Sequence, residues 1–77
     1  MPTVHIEKGI HFRFYASDMD EPPHVHAVKG RDKAKIWLHD LSLVYNRGFN
    51  QREIANILKI VEQKQPLFLE AWNAYFS

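Results

Sequence analysis

The sequence contains no cysteine, and this absence excludes disulfide bonds, thiolate nucleophiles and cysteine-based zinc sites together. It has no apolar run of about 18 residues and no positively charged start followed by an apolar segment, so it predicts neither a membrane span nor a secretion signal. A nucleophile elbow, a phosphate-cradling glycine loop and a carboxylate dyad are also missing. The formal net charge of +1 argues against non-specific binding of polyanions. We therefore expect a cytoplasmic protein without a familiar catalytic motif.

The remaining composition is that of a single domain over residues 1–77. Of these residues 45% are hydrophobic and 13% aromatic, which is enough apolar volume for one small core. Alternating apolar and polar residues predict strands, because successive side chains of a strand point to opposite faces. The predicted strands span residues 3–7, 10–16, 24–29 and 34–39, and residues 41–45 are a candidate fifth strand.

The pattern changes to a helical period after Gly48. Asn50 is a good helix N-cap, and Glu53 stands at the reciprocal position of a capping box. Apolar residues at positions 54, 57, 58 and 61 predict a helix that runs to about Lys64. Because proline fits the first turn of a helix, Pro66 predicts the start of a second helix over residues 65–76.

These elements predict an α+β fold, in which a small antiparallel sheet of four or five strands is followed by two C-terminal helices packed on one face. The apolar strand residues would face the helices. The opposite face would collect His11, Arg13, Tyr15, His24, His26, Lys35, Trp37 and His39. Imidazoles, cations and aromatic rings are an unusual combination for a surface that meets only solvent, so we predict a ligand surface or a subunit interface.

The centre of this surface is the stretch Glu21-Pro22-Pro23-His24-Val25-His26. The two prolines fix φ and keep the residue before them extended. The alternation that follows places His24 and His26 side by side on one face of a strand. Two neighbouring imidazoles after a rigid step suit a binding or catalytic surface.

A metal site is one interpretation of the histidine pair. His24 and His26 would each offer a nitrogen, with His11, His39, Asp18 or Glu21 completing the ligand set. No second pair at fixed spacing is present, so we expect no metal and no cofactor. Histidines that hydrogen-bond the acidic loop of residues 18–21 are the simpler interpretation.

Acid–base chemistry is another interpretation. His24 or His26 would act as general acid or base and Arg13 or Lys35 would stabilise charge, as in a small metal-independent ribonuclease. Binding of nucleic acid without cleavage is the third, with Tyr15 and Trp37 stacking on bases beside the cations. We favour a surface that binds and does not catalyse.

Several segments resemble one small prokaryotic family, domain of unknown function 4160. The segments are Phe12-Arg13-Phe14-Tyr15, Asp18, the PPHVH run that ends at His26, Ala34-Lys35-Ile36-Trp37-Leu38, Asn46-Arg47-Gly48-Phe49, Arg52-Glu53 and Leu69-Glu70-Ala71-Trp72-Asn73. Members commonly have an aspartate–proline step where this chain has His39-Asp40-Leu41, so the resemblance does not extend to His39. Family members tend to be encoded beside another small protein, in an arrangement that resembles toxin–antitoxin pairs. The resemblance implies a bacterial cytoplasmic module that binds a partner or regulates it.

The leading hypothesis is a non-enzymatic interaction module, one half of a toxin–antitoxin-like pair. The expected binding surface comprises His11, Arg13, Tyr15, Glu21, His24, His26, Lys35 and Trp37. A small protein encoded nearby is the expected partner, nucleic acid is the alternative, and a homodimer through the same face is left open. No membrane partner is expected.

Overall fold

The computed structural model describes residues 3–77 and contains one five-stranded antiparallel sheet and one long helix. The predicted α+β class is confirmed. In chain order the elements are β1 (Thr3–Glu7), β2 (Ile10–Arg13), a 3₁₀ turn (Ala16–Asp20), β3 (His24–Lys29), β4 (Asp32–Trp37), β5 (Leu43–Arg47) and α1 (Gln51–Phe76). Each strand pairs with the next one in sequence, so the sheet is a simple meander. Among residues 3–77, no helix is both long enough and apolar enough to cross a bilayer.

The first hairpin forms at the predicted turn between β1 and β2. Lys8 and Gly9 both have positive φ, 54° and 76°, as a two-residue hairpin turn requires. A register shift between Thr3 and His5 then changes the alternation of β1. His5 packs between Phe12 and Phe68 of α1. Ile6 is 57% exposed on the opposite face of the sheet. Simple alternation over residues 3–7 would place Val4 and Ile6 on one face, and this expectation is wrong because Val4 packs against the core.

The candidate fifth strand exists, but it begins two residues later than predicted. Leu41 has a φ of 63°, and its N–H donates to the carbonyl of Trp37 at 3.0 Å. This tight turn ends β4 at Trp37 and leaves His39 outside the sheet. The chain re-forms the ladder from Leu43 onward.

The two predicted helices are a single helix of 26 residues, and the predicted break at Pro66 is wrong. Four buried residues form one stripe across the proline: Ile57, Val61, Phe68 and Trp72. Pro66 is exposed, and so is Glu62, whose carbonyl loses its helical donor at this point. Because that side of α1 meets water, solvent can satisfy the carbonyl. Packing of the continuous stripe on the sheet therefore outweighs the local effect of the proline.

The start of α1 matches the sequence signal closely. The side chain of Asn50 accepts the N–H of Glu53 at 2.8 Å, and the side chain of Glu53 accepts the N–H of Asn50 at 3.0 Å. The predicted capping box is confirmed.

The core lies between α1 and one face of the sheet. All eight strand-side residues predicted to face the helices are buried: Ile10, Phe12, Phe14, Val25, Ala27, Ala34, Ile36 and Leu38. Phe12 packs on Phe68 with ring centroids 5.6 Å apart, and Phe14 meets Trp72 edge-on at 5.2 Å. The opposite sheet face, which carries no helix, is called the uncovered face below.

Candidate functional site

A short turn brings a carboxylate to the end of the sheet. Strand β2 ends at Arg13, three residues earlier than predicted, and the chain turns through Ala16–Asp20. The N–H of Asp18 donates to the carbonyl of Tyr15 at 2.9 Å, and the N–H of Tyr15 donates to Asp18 Oδ2 at 2.8 Å. This local bonding competes with continued strand pairing and ends β2. It also holds the buried Asp18 carboxylate in one orientation.

His24 is fixed by a backbone carbonyl and by two tryptophans. Its Nδ1 donates to the carbonyl oxygen of Pro22 at 2.9 Å. The ring lies 5.1 Å from Trp72 of α1 and 5.5 Å from Trp37, between ring centroids. His24 is 0% exposed. The expectation that it projects from an open surface is therefore wrong, because α1 extends far enough to cover this end of the strand.

Both histidines nevertheless converge on the same carboxylate. Asp18 Oδ1 lies 3.1 Å from His24 Nε2, and Asp18 Oδ2 lies 3.2 Å from His26 Nε2. The two imidazole rings are 5.1 Å apart between centroids, so the predicted side-by-side placement is confirmed. One ligand atom from each of Asp18, His24 and His26 falls within 4.8 Å of the other two. We call these three residues the histidine–aspartate cluster.

The surroundings of the cluster change the pKa values of two members. Burial would raise the pKa of Asp18, but the Tyr15 N–H and the two imidazoles together outweigh it, and the pKa lies below its ordinary value. The pKa of His26 is lowered because burial disfavours the imidazolium, and the attraction of Asp18 only partly opposes this effect. Asp18 is therefore a carboxylate at neutral pH, and His26 is a neutral imidazole.

Two buried polar side-chain atoms lack a hydrogen-bond partner among residues 3–77: Arg13 Nε and His24 Nε2. Both belong to this region, since Arg13 is the cross-strand neighbour of His26. His24 Nε2 is close to Asp18, but a hydrogen on that nitrogen would not point at the oxygen well enough to form a bond. Buried unsatisfied atoms are rare in folded proteins and call for an explanation.

The uncovered face carries an excess of positive charge. Cross-strand partners lie on the same face, so the pairs Lys33–Arg47 and Lys35–Tyr45 share it with Arg13. Only Lys35 of these cations forms an ion pair among the described residues, with Glu21 of the preceding loop. Lys35 also lies 4.9 Å from the centroid of the Trp37 ring.

Of the other predicted site residues, some contact the histidine–aspartate cluster and others lie away from it. Tyr15 packs edge-on against His26, with centroids 4.6 Å apart. His11 lies on the uncovered face opposite Val28, away from the cluster. His39 is highly exposed in a turn and contacts only Asp40 among the ion pairs described. Of the four imidazoles predicted for one face, His24 and His26 form a pair, His11 lies on the same face apart from them, and only His39 lies outside the sheet.

Sequence reasoning missed three members of the uncovered face: Lys33, Tyr45 and Arg47. The predicted fourth strand began at residue 34, and the predicted fifth ended at residue 45. Lys33 and Arg47 therefore lay outside the predicted strands and were not assigned to either face of the sheet. The alternation itself contained the signal, because Lys33 and Lys35 are two residues apart. Placing Arg47 required knowledge of its pairing with Lys33.

A surface depression of about 310 Å³ lies apart from the cluster, between the 3₁₀ turn and the end of α1. Its lining residues are Ala16, Met19, Tyr75, Phe76 and Ser77. None of these side chains is an imidazole, a carboxylate or a cation. The chemistry of the molecule is therefore concentrated at the histidine–aspartate cluster and not in this depression.

Fold and site together define a class: a five-stranded meander covered by one helix, with a histidine–aspartate cluster at the edge of a basic uncovered face. The sequence profile of a family described as Domain of unknown function (DUF4160) matches residues 9–73. The chain belongs to this family, as its resemblance implied. The matched range includes every member of the cluster and of the basic face. No curated protein and no solved structure matches the chain.

Proposed function

We propose that the chain is a small non-enzymatic binding module of the bacterial cytoplasm, one half of a toxin–antitoxin-like pair. In this proposal, its uncovered face binds an acidic surface on a small protein encoded nearby. The observation that carries the proposal is the charge of that face. Arg13, Lys33, Lys35 and Arg47 share it, and the strand positions on the same side contain no aspartate or glutamate among residues 3–77.

Positive charge of this kind favours a partner of opposite sign. Complementary potentials speed the encounter of two proteins and select against partners of like charge. Arg13 makes no ion pair among residues 3–77, so its guanidinium is available to a carboxylate of the partner. Two copies of the chain would bring cations against cations, which disfavours a homodimer through this face.

The aromatic rings of the face support a protein partner over single-stranded nucleic acid. Bases stack on free ring faces in single-strand platforms. Here Lys35 lies over Trp37, and Arg47 lies 5.1 Å from the centroid of Tyr45. Each ring is therefore already engaged by a cation of its own chain.

Burial of His24 weighs against the ribonuclease alternative. A general acid or base must lie within hydrogen-bond reach of the proton that it transfers. His24 has no exposed surface and is packed against Trp72 and Trp37. It cannot meet an RNA backbone on the uncovered face without local unfolding, which leaves His26 as the accessible imidazole of the pair.

The test is a charge reversal on the uncovered face. The double variant Lys33→Glu, Arg47→Glu changes two exposed side chains that pair across β4 and β5. Binding to the small protein encoded beside the gene is measured by calorimetry with purified components. We expect affinity to fall by more than about tenfold, because like charges across an interface cost several kcal/mol.

A matched control carries the same change in charge on the helix. Arg52→Glu with Lys59→Glu alters two exposed residues of α1, away from the uncovered face. This control should bind as the unmodified chain does. Equal loss in both double variants, or no binding by the unmodified chain, contradicts the proposal. Tight binding of a single-stranded RNA oligonucleotide that only the Lys33→Glu, Arg47→Glu variant loses would replace the protein partner with nucleic acid.

A further inference from the structure

We infer that Asp18, His24 and His26 form a binding site for a divalent transition-metal ion of the Zn²⁺ type. This inference is independent of the proposed partner surface. It departs from the expectation of no metal that the sequence alone supported. It depends on the hydrogen bonding of His24, on the spacing of the three ligand atoms and on their burial.

The hydrogen bond from His24 determines which of its nitrogens is available. A carbonyl oxygen can only accept, so Nδ1 carries the hydrogen in its 2.9 Å bond to Pro22. In a neutral ring, Nε2 then has a free lone pair inside the protein. Histidines that bind metals usually donate their other ring N–H to a backbone carbonyl or a carboxylate in this way. His24 thus has the orientation of a metal ligand.

His24 Nε2 is buried and has no hydrogen-bond partner among residues 3–77, which is unfavourable without a cation beside it. Asp18 Oδ1 lies 3.1 Å from Nε2, and both atoms are acceptors when His24 is neutral and Asp18 ionised. Doubly protonating His24 would not satisfy Nε2 either, because the N–H would not point at Oδ1 well enough to form a bond. A metal ion accepts electron density from both atoms at once, and it therefore resolves the conflict.

The spacing of the ligand atoms matches a coordination shell. Metal–nitrogen and metal–oxygen bonds of about 2.0–2.1 Å in a tetrahedron place neighbouring ligand atoms about 3.3 Å apart. Asp18 Oδ1 lies 3.1 Å from His24 Nε2 and 3.4 Å from His26 Nε2, and one ligand atom from each residue falls within 4.8 Å of the others. Only small side-chain adjustments are needed to complete the site.

The donor set and its surroundings suit a borderline transition ion. Two imidazoles and one carboxylate are typical ligands of Zn²⁺ and its neighbours, whereas Mg²⁺ and Ca²⁺ prefer oxygen ligands alone. The N–H of Tyr15 orients Asp18 from behind, as outer groups do at metal centres. His26 is partly exposed, so an ion can reach the site from the uncovered face. Three protein ligands leave a fourth position for water or for a group of a partner.

The test uses full-length protein made without a histidine tag, stripped with a chelator and titrated with Zn²⁺ in a calorimeter. We expect one Zn²⁺ per chain, and more than about tenfold weaker binding by Asp18→Asn and by His26→Ala, since even changes behind a ligand cost roughly 10- to 100-fold. His39→Ala is the matched control, because His39 is 63% exposed and outside the cluster. It should bind as the unmodified chain does.

A second measurement needs no variant and so does not depend on how the variants fold. Long-range ¹H–¹⁵N spectra of the histidine rings should show the Nδ1–H form of His24 in the stripped protein. Addition of Zn²⁺ should shift the Nε2 signals of His24 and His26 and leave the signals of His39 in place. Failure of the unmodified chain to take up Zn²⁺, equal affinity in all three variants, or shifts confined to other histidines would overturn the inference.

Discussion

The two faces of the sheet carry side chains of opposite character, although the same strands form both. On the side of α1, strand residues such as Phe12, Val25 and Ile36 are 0% exposed and belong to the apolar core cluster. On the uncovered face, their sequence neighbours Arg13, His26 and Lys35 are charged or titratable, and one of them has a buried nitrogen without a partner. The covered face provides the stability of the domain, and the uncovered face carries unsatisfied groups at a cost in stability.

This difference supports the proposed position of the binding surface. Proteins tolerate unsatisfied or strained groups where a ligand or a partner compensates for them. Neither unsatisfied atom, Arg13 Nε nor His24 Nε2, belongs to the apolar core cluster. The comparison therefore separates residues that should respond in stability from residues that should respond in binding.

The largest effect is expected from truncation on the covered face. Phe12→Ala removes a fully buried ring that packs against Phe68 and His5. We expect the free energy of unfolding to fall by about 3–5 kcal/mol, because the cavity adds to the lost burial. Chemical denaturation followed by circular dichroism measures this loss. A loss below about 1 kcal/mol would mean that the covered face does not stabilise the domain.

The next effect distinguishes one helix from two. Pro66 lies inside α1, where it removes a backbone hydrogen bond. Pro66→Ala should raise the free energy of unfolding by about 1–3 kcal/mol, part of the gain being offset by a more flexible unfolded chain. A proline that began a second helix would be almost neutral, and its replacement would leave the denaturation midpoint unchanged.

A smaller effect of opposite sign to the first is expected on the uncovered face. Arg13→Met keeps much of the side-chain stem but removes the buried Nε that lacks a partner. We expect the free energy of unfolding to stay constant or rise by up to about 1 kcal/mol, because the desolvated donor is gone. Binding of the proposed acidic partner should weaken in the same variant. A marked loss of stability would show that Arg13 serves the fold.

The smallest effect is a pH dependence at the edge of the covered face. The hydrogen bond from His5 is the main cause that lowers the pKa of Glu7 below its ordinary value of 4.5. A carboxylate with a lower pKa in the folded state stabilises above its unfolded value, and that contribution disappears as the pH falls through the folded value. Wild type should therefore exceed Glu7→Gln slightly in melting temperature above pH 4.5, and the two should converge in more acid buffer. If the difference in melting temperature grew as the pH fell, the pKa of Glu7 would be raised in the folded state and not lowered.

Much of the fold was predictable because its signals are local. The capping box of Asn50 and Glu53 and the turn at Lys8 and Gly9 each depend on residues that are close in the chain. The alternation of β2, β3 and β4 also identified the covered face correctly. Pro66 was misjudged because its local preference for a helix start is weaker than the packing of the stripe on both sides of it.

The site was predictable only in part. The spacing of His24 and His26 placed both rings on one side of β3, and Asp18 was among the named candidates for a third ligand. The separation of His11 and His39 from the cluster was not predictable, because the turn after Trp37 removes His39 from the sheet.

The sequence by itself determined the period of each element, the apolar face of the sheet and the pairing of two imidazoles, since these follow from residues a few positions apart. Only the tertiary structure decided that His24 is buried, because Trp72 reaches it from a helix far along the chain. The tertiary structure also brought Arg47 beside Lys33 through the pairing of β4 with β5. Contacts of this kind depend on how whole elements pack, and short-range patterns in the sequence do not contain that information.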